Sequence, residues 1–167
     1  MLDCQTPNGK KFISHQLRTQ RLLEKKGYKF FNMSSDSSKA DVLIAKEVEG
    51  MFVLCGVAEI KSREMAGSVP LTVEYLRSNG GYLITNDKLL YGSDASQLFG
   101  VPFFIIVNLL IDKKILIWKV TDDQGLYLFD FETKNTSTQM TCNGGTITRP
   151  NSFLPVDKAT IIEYEEY

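Results

Sequence analysis

Histidine is almost missing from this chain of 167 residues, which carries only His15. That excludes sites built from two or more imidazoles, such as His-rich zinc centres and nucleases that hold their metal with histidine pairs. Cysteine is scarce and odd in number: Cys4, Cys55 and Cys142 are scattered, with no pair at metal-ligand spacing. This argues against a disulfide framework and a zinc motif and points to a reducing, cytoplasmic compartment. No apolar run approaches the ~20 residues of a membrane span. No basic segment followed by an apolar block marks a signal peptide. A Gly-rich phosphate loop and a Gly-x-Ser-x-Gly elbow are both missing, which removes two common routes to nucleotide and acyl chemistry. Excess charge is missing as well, since 19 basic and 20 acidic residues leave a formal net charge of -1. A polyanion partner would have to be met by a local Lys/Arg patch rather than by the whole surface.

What remains is ordinary for one domain with a core of its own: 43% hydrophobic and 23% charged residues. The most informative stretch is 40–63. A short β-branched run, Val42 to Ala45, precedes a polar segment ending in Gly50, and a longer apolar run follows from Met51 to Ala58. The second run is apolar at odd and even positions, the pattern of an interior strand covered on both faces. Lys46 to Gly50 is short enough for a hairpin connection. Folding there brings Asp41, at the start of the first strand, beside Glu59 and Lys61, at the end of the second. Side chains alternate on a strand, so Glu59 and Lys61 share a face while Ile60 points away. Arg63 is in phase with both and is a candidate phosphate ligand. Two carboxylates and an ammonium at one edge of an apolar hairpin call for pairing or a bound metal.

The flanking chain supplies an α/β alternation. Pro7-Asn8-Gly9 reads as a turn, Phe12 to Lys26 as a helix closed near Gly27, and Tyr28 to Met33 as an aromatic strand. Ser34 to Lys39 reads as a polar loop containing Asp36, a weaker metal candidate than Asp41. Val73 to Arg77 reads as a short helix. A second long helix is expected from Asn86 to Phe99, with Thr85 at its N-cap and Gly100 past its end. Phe103–Ile111 and Ile115–Val120 form a further hairpin. From Thr121 the chain becomes β-prone, with runs at 126–131, 136–141 and 146–148 and an acidic tail. The expected organisation is a core over 1–120 and a β-rich extension over 121–167 packed on it as one domain. The extension has three readings: an added sheet edge, a homodimer seam, or a substrate wall through Lys134 and Arg149.

The order Asp41, then Glu59-Ile60-Lys61, resembles the signature of the PD-(D/E)xK nuclease superfamily, whose members include restriction-endonuclease-like and Holliday-junction-resolvase-like enzymes. The resemblance implies an α-β-β-β-α-β-β core with a mixed sheet and hydrolysis of DNA by metal-activated water. It implies that Asp41, Glu59 and the Ile60 carbonyl hold Mg²⁺ or Mn²⁺, a ligand set suited to a hard cation, and that Lys61 assists the water. The helix before the first strand often lends such enzymes a Glu or Gln, here Gln16, with Gln20 next in line. Arg18 and Arg21 on that helix would face phosphate or solvent. The Tyr82-Leu-Ile-Thr-x-x-Lys88 segment is similar to one in phage-type members, which makes Lys88 a candidate DNA contact. The alternative is a catalytically silent module of the same fold that binds nucleic acid or assembles with other proteins.

Overall fold

The structure is a computed structural model that describes residues 6–33, 40–141 and 144–165. Cys4, Cys142 and the loop bearing Asp36 lie outside the described residues. The first helix, α1 (Pro7–Glu24), begins earlier than its apolar spacing suggests. The Thr6 hydroxyl accepts from Gly9 N–H at 3.0 Å, and Pro7 occupies the first helical turn. Proline has no N–H to leave unsatisfied there, and its fixed φ suits the position. The expected Pro7-Asn8-Gly9 turn is therefore the start of the helix.

Three strands follow as an antiparallel meander: β1 (Tyr28–Asn32), β2 (Val42–Val48) and β3 (Met51–Arg63). The β2–β3 turn is tighter than expected. Val48 pairs with Met51, and only Glu49 and Gly50 turn the chain, with φ of 52° and 79°. A two-residue loop with both φ positive matches the natural twist of a strand pair. The apolar run is also not covered throughout. Met51, Phe52 and Val53 are exposed, and burial becomes continuous only from Gly56 to Ile60. The hairpin tip projects beyond the covered part of the sheet, so only the second half of β3 is an interior strand.

After β3 come a small ribbon, β4 (Met65–Ala66) with β5 (Val69–Pro70), then α2 (Val73–Ser78), β6 (Tyr82–Thr85) and α3 (Asn86–Phe99). The chain continues through β7 (Phe103–Leu109), β8 (Lys114–Lys119), β9 (Glu132–Thr141), β10 (Gly144–Leu154) and β11 (Thr160–Glu163). The described residues thus form an α/β protein with three α-helices and a mixed six-stranded sheet in the order β1-β2-β3-β7-β8-β11. Among the described strands only β3 and β7 run parallel, as the long crossover through α2, β6 and α3 permits. The expected element order is interrupted between β3 and α3 by the ribbon, α2 and β6.

The segment from 121 onward has two destinations. β9 and β10 pair with β6 in a separate three-stranded sheet, while β11 adds an edge to the main sheet beside β8. Residues 126–131 form no strand, although Thr121 and Tyr127 make an isolated bridge. Two apolar layers sandwich the main sheet. Leu23 of α1 packs with Val42, Ala58, Ile60 and Ile106 on one face. Leu89 and Ala95 of α3 pack with Val57, Phe103, Ile105 and Trp118 on the other. Trp118 is fully buried, stacks on Tyr82 with ring centroids 5.8 Å apart, and donates its indole N–H to Pro155 O at 2.8 Å. Among the described residues no helix is long and apolar enough to cross a membrane.

Candidate active site

Asp41 sits where β1, β2 and β3 meet, and backbone bonds fix it there. Its N–H donates to Ala58 O, and its carbonyl accepts from Met33 N–H, both at 3.0 Å. The next pair in register is Val42 with Ala58, which brings Asp41 alongside Glu59. The Asp41 side chain is held as well, because Ile60 N–H donates to Oδ2 at 2.9 Å. Its Oδ1 has no hydrogen-bond or ion-pair partner among the described residues, and the residue faces an open cleft.

Glu59 is the buried member of the group, with its side chain 1% exposed. It lies on the α3 face of the sheet, one residue in each direction from alternate neighbours Ala58 and Ile60 of the α1-side core. Lys61 Nζ contacts Glu59 Oε1, and Lys88 Nζ, from the first turn of α3, donates to Oε2 at 3.0 Å. Burial by itself would raise the Glu59 carboxyl, but the charges and hydrogen bonds of Lys61 and Lys88 outweigh it and hold the group below the usual carboxylate range. The same contest favours the charged form of Lys61: burial pulls its ammonium down, and Glu59 and Asp41 more than restore it. Asp41 goes the other way. Burial first, then the negative charge of Glu59, raise its carboxyl despite the opposing Lys61, Ile60 N–H and Lys88.

The shift at Asp41 carries a prediction. A carboxyl raised on folding favours the fold while protonated. That benefit is complete below its unfolded value and is lost as pH rises through its folded value. Asp41→Asn keeps an acceptor for Ile60 N–H and removes the ionised charge. The variant is expected to melt higher than the parent at neutral pH in chelator, by about 2–4 °C, the shift that ~1 kcal/mol makes in a chain this long. The gap should close in acid. Thermal melts at pH 8 and pH 4 check it, and a variant less stable at pH 8 would refute this account of Asp41.

The cleft in front of Asp41 has a volume of about 790 Å³. Lys11, Lys61, Arg63, Lys88 and Arg149 line it, against the carboxylates of Asp41 and Glu64. Five cations to two anions in one concavity, on a chain of net charge -1, is a segregation of charge that attracts anionic ligands. Three of the five are already paired: Lys11 Nζ lies 3.0 Å from Glu64 Oε2, and Lys61 and Lys88 both hold Glu59 beneath the cleft surface. Arg63 packs over the Phe12 ring at 5.8 Å and donates Nη1–H to Ser62 O.

No family model, curated protein or solved structure matches this chain. The site therefore has to be read from its own geometry. Gln16 lines the cleft, and its side-chain amide has no partner among the described residues. Gln20 does not reach the cleft, because its amide donates to Asn32 Oδ1 at 2.8 Å and ties α1 to β1. Arg18 and Arg21 are not among the residues that line the cleft. Lys134 is turned elsewhere, over the Phe153 ring at 4.5 Å and toward Glu132. Glu59 lies beneath the two lysines rather than on the cleft surface, and no group of three or more His, Cys, Asp or Glu side chains among the described residues is arranged to hold a metal.

Two features had no sequence signal. His15 lines the cleft beside Gln16, with Nε2 buried and unpartnered and its imidazole pulled down by burial. A buried polar chain also anchors α1 under the site. Asn108 Nδ2 donates to Thr19 Oγ1 at 3.0 Å, Thr19 Oγ1 lies 3.2 Å from Ser62 Oγ, and Tyr164 O–H donates to Asn108 Oδ1 at 2.7 Å. Ser62 is the neighbour of Lys61, so this chain fixes the strand at Lys61 relative to the helix bearing Gln16.

Proposed function

We propose that the protein is a metal-dependent phosphodiesterase that cleaves DNA, with a restriction-endonuclease-like core of the PD-(D/E)xK type. The observation that carries the reading is the convergence of Asp41 and Lys61 at the floor of a basic cleft, with Glu59 held directly beneath by Lys61 and Lys88. The donor set suits Mg²⁺ or Mn²⁺. Asp41 Oδ1 is unpartnered in the cleft, and the Asp41 carboxyl is raised in part by Glu59, the mark of a site short of positive charge on that side. Asp41, Glu59 and the Ile60 carbonyl would hold the cation, and Glu59 would exchange its Lys88 contact for it. Once bound, the cation would polarise the phosphate and make its water more acidic.

The chain's own groups do the rest. Lys61 stays on Glu59 and places its ammonium where charge grows on the phosphate. Lys88, released from Oε2, has a cleft-facing ammonium to meet the substrate backbone. Arg63 and its Phe12 platform present a planar donor to phosphate oxygens, and the Gln16 amide can orient a water. Titration with Mn²⁺ in a calorimeter should show one saturable site that Asp41→Ala removes, and Mn²⁺ or Mg²⁺ should support cleavage of single-stranded, duplex or branched DNA. Heat without saturation, together with intact DNA in all three forms, sinks the reading.

One observation favours a second reading, a nucleic-acid-binding module without chemistry. Both Glu59 oxygens already face lysine ammoniums, so the carboxylate has its counter-charge without a metal. DNA binding unaffected by chelator, combined with no Mn²⁺ uptake, would select it.

A further inference from the structure

The β9–β10 ribbon is the largest feature that the proposed chemistry leaves unused. It belongs to a different sheet from the catalytic candidates, yet Thr138, Gln139, Met140 and Arg149 reach into the same cleft as Asp41 and Lys61. Beyond its base most described positions are exposed, and they are mainly Thr, Ser, Asn and Gln. That composition offers hydrogen bonds and little apolar area, so it does not suit an apolar protein partner.

We propose that this ribbon is a second substrate wall, which takes the sugar–phosphate backbone of a nucleic acid with Arg149 as its phosphate ligand. The inference rests on the phosphodiesterase reading for the identity of the substrate. Arg149 is half-buried and pre-set: Nε donates to Thr138 Oγ1 at 3.2 Å, and Nη2 donates to Gln139 O at 3.3 Å. Both partners are neutral, and no carboxylate among the described residues pairs with the guanidinium. A fixed, uncompensated guanidinium beside a cleft is a ready anion site.

The base of the ribbon is rigid in the right place. Asn151 Nδ2 donates to Thr136 O, Thr136 Oγ1 and Arg149 O, and Ser152 O–H donates to Asn86 Oδ1 at 3.2 Å. Asn86 opens α3, two residues before Lys88, and Asn151 pairs with Thr85 of β6. Arg149 and Lys88 therefore stand on one connected unit, in the cleft that Lys11 of α1 and Arg63 of β3 also line. Residues 136–141 span about 20 Å at ~3.3 Å per residue, enough to follow several nucleotides of one strand.

The test compares wild type with Arg149→Gln, using labelled single-stranded and duplex oligonucleotides in chelator over a range of salt. The variant should bind about 5- to 20-fold more weakly, with a salt slope smaller by about one contact. The oligonucleotide that loses affinity identifies whether a lone strand or a duplex lies on the wall. Mn²⁺ binding, which reports on the metal site alone, should not change. Equal affinity and equal slope in the variant, or no binding of either oligonucleotide by the wild type, overturns the proposal. A wild type that takes up no Mn²⁺ and leaves the small ester bis(4-nitrophenyl) phosphate intact removes the phosphodiesterase reading, whatever the binding data show. Gln139→Glu, on the exposed cleft side of the ribbon, serves if Arg149→Gln does not fold. It too should weaken binding, and an unchanged affinity counts against the wall.

Discussion

Glu59→Gln is expected to lower the proposed metal-dependent DNA cleavage at least about 10³-fold, the scale seen when a group acting on the transition-state charge is removed. The substitution keeps the shape of the side chain and deletes its charge. Without that charge Lys61 loses the partner that sets its position, and the proposed cation would lose one of its two anionic ligands. Stability should fall as well, because a carboxylate 1% exposed holds two ammoniums whose side chains are 29% and 35% exposed. Removing one side of a fully buried pair costs about 3–5 kcal/mol. Both lysines here can retract into water, so screening reduces the loss to about 1–2 kcal/mol. The sign with pH is fixed by the depressed Glu59 carboxyl. Its contribution is present above the unfolded value and disappears as pH falls through the folded one, so parent and variant should converge in acid. Kinetics with Mn²⁺ and melts at two pH values test both halves. Cleavage within tenfold of wild type would remove Glu59 from the chemistry.

The approach of Asp41 to Glu59 was legible because it depends on short-range rules alone. Alternation along a strand and a turn ending in Gly50 bring those positions together without any knowledge of the rest of the chain. The limits of α3 were legible for a similar reason: Thr85 precedes the helix and Gly100 adopts φ of 65° just after it, although the Thr85 side chain makes no capping bond. What was hidden is long-range. Lys88 is an ordinary helix-surface lysine by pattern, and only the packing of α3 across β3 brings its ammonium to Glu59. The strand β11 is a short run in an acidic tail, and nothing local says that it seals the β8 edge. The ribbon's choice of β6 over the main sheet is likewise a matter of which edge is free. Exposure of Met51, Phe52 and Val53 escaped detection because an apolar run records composition and not whether a helix lies over it.

Gly92→Ala sets two physical rules against each other, and packing is expected to win. In the interior of a helix, Ala is favoured over Gly by about 1 kcal/mol, so propensity alone predicts a more stable protein. A methyl group on Gly92, however, would lie 2.1 Å from Phe103 Cε1 and 2.3 Å from two further ring carbons. Phe103 is 1% exposed, at the start of β7 within the core that α3 covers, so the ring has no empty space to enter. Overpacking of this kind costs about 1–3 kcal/mol and occasionally more, and an overlap this deep belongs at the upper end. The net result should be a loss of about 2 kcal/mol or more, seen as a fall in melting temperature of about 4–8 °C. The effect should reach the site, because relief comes most easily by lifting α3 off β7, and α3 carries Lys88 in its first turn. In the variant Lys88 should hold Glu59 less firmly, and Mn²⁺ should therefore bind no more weakly than in the parent despite the lost stability. A variant that melts at or above the parent temperature would show that α3 is not seated on Phe103 as described, and the Lys88–Glu59 contact would fall with it.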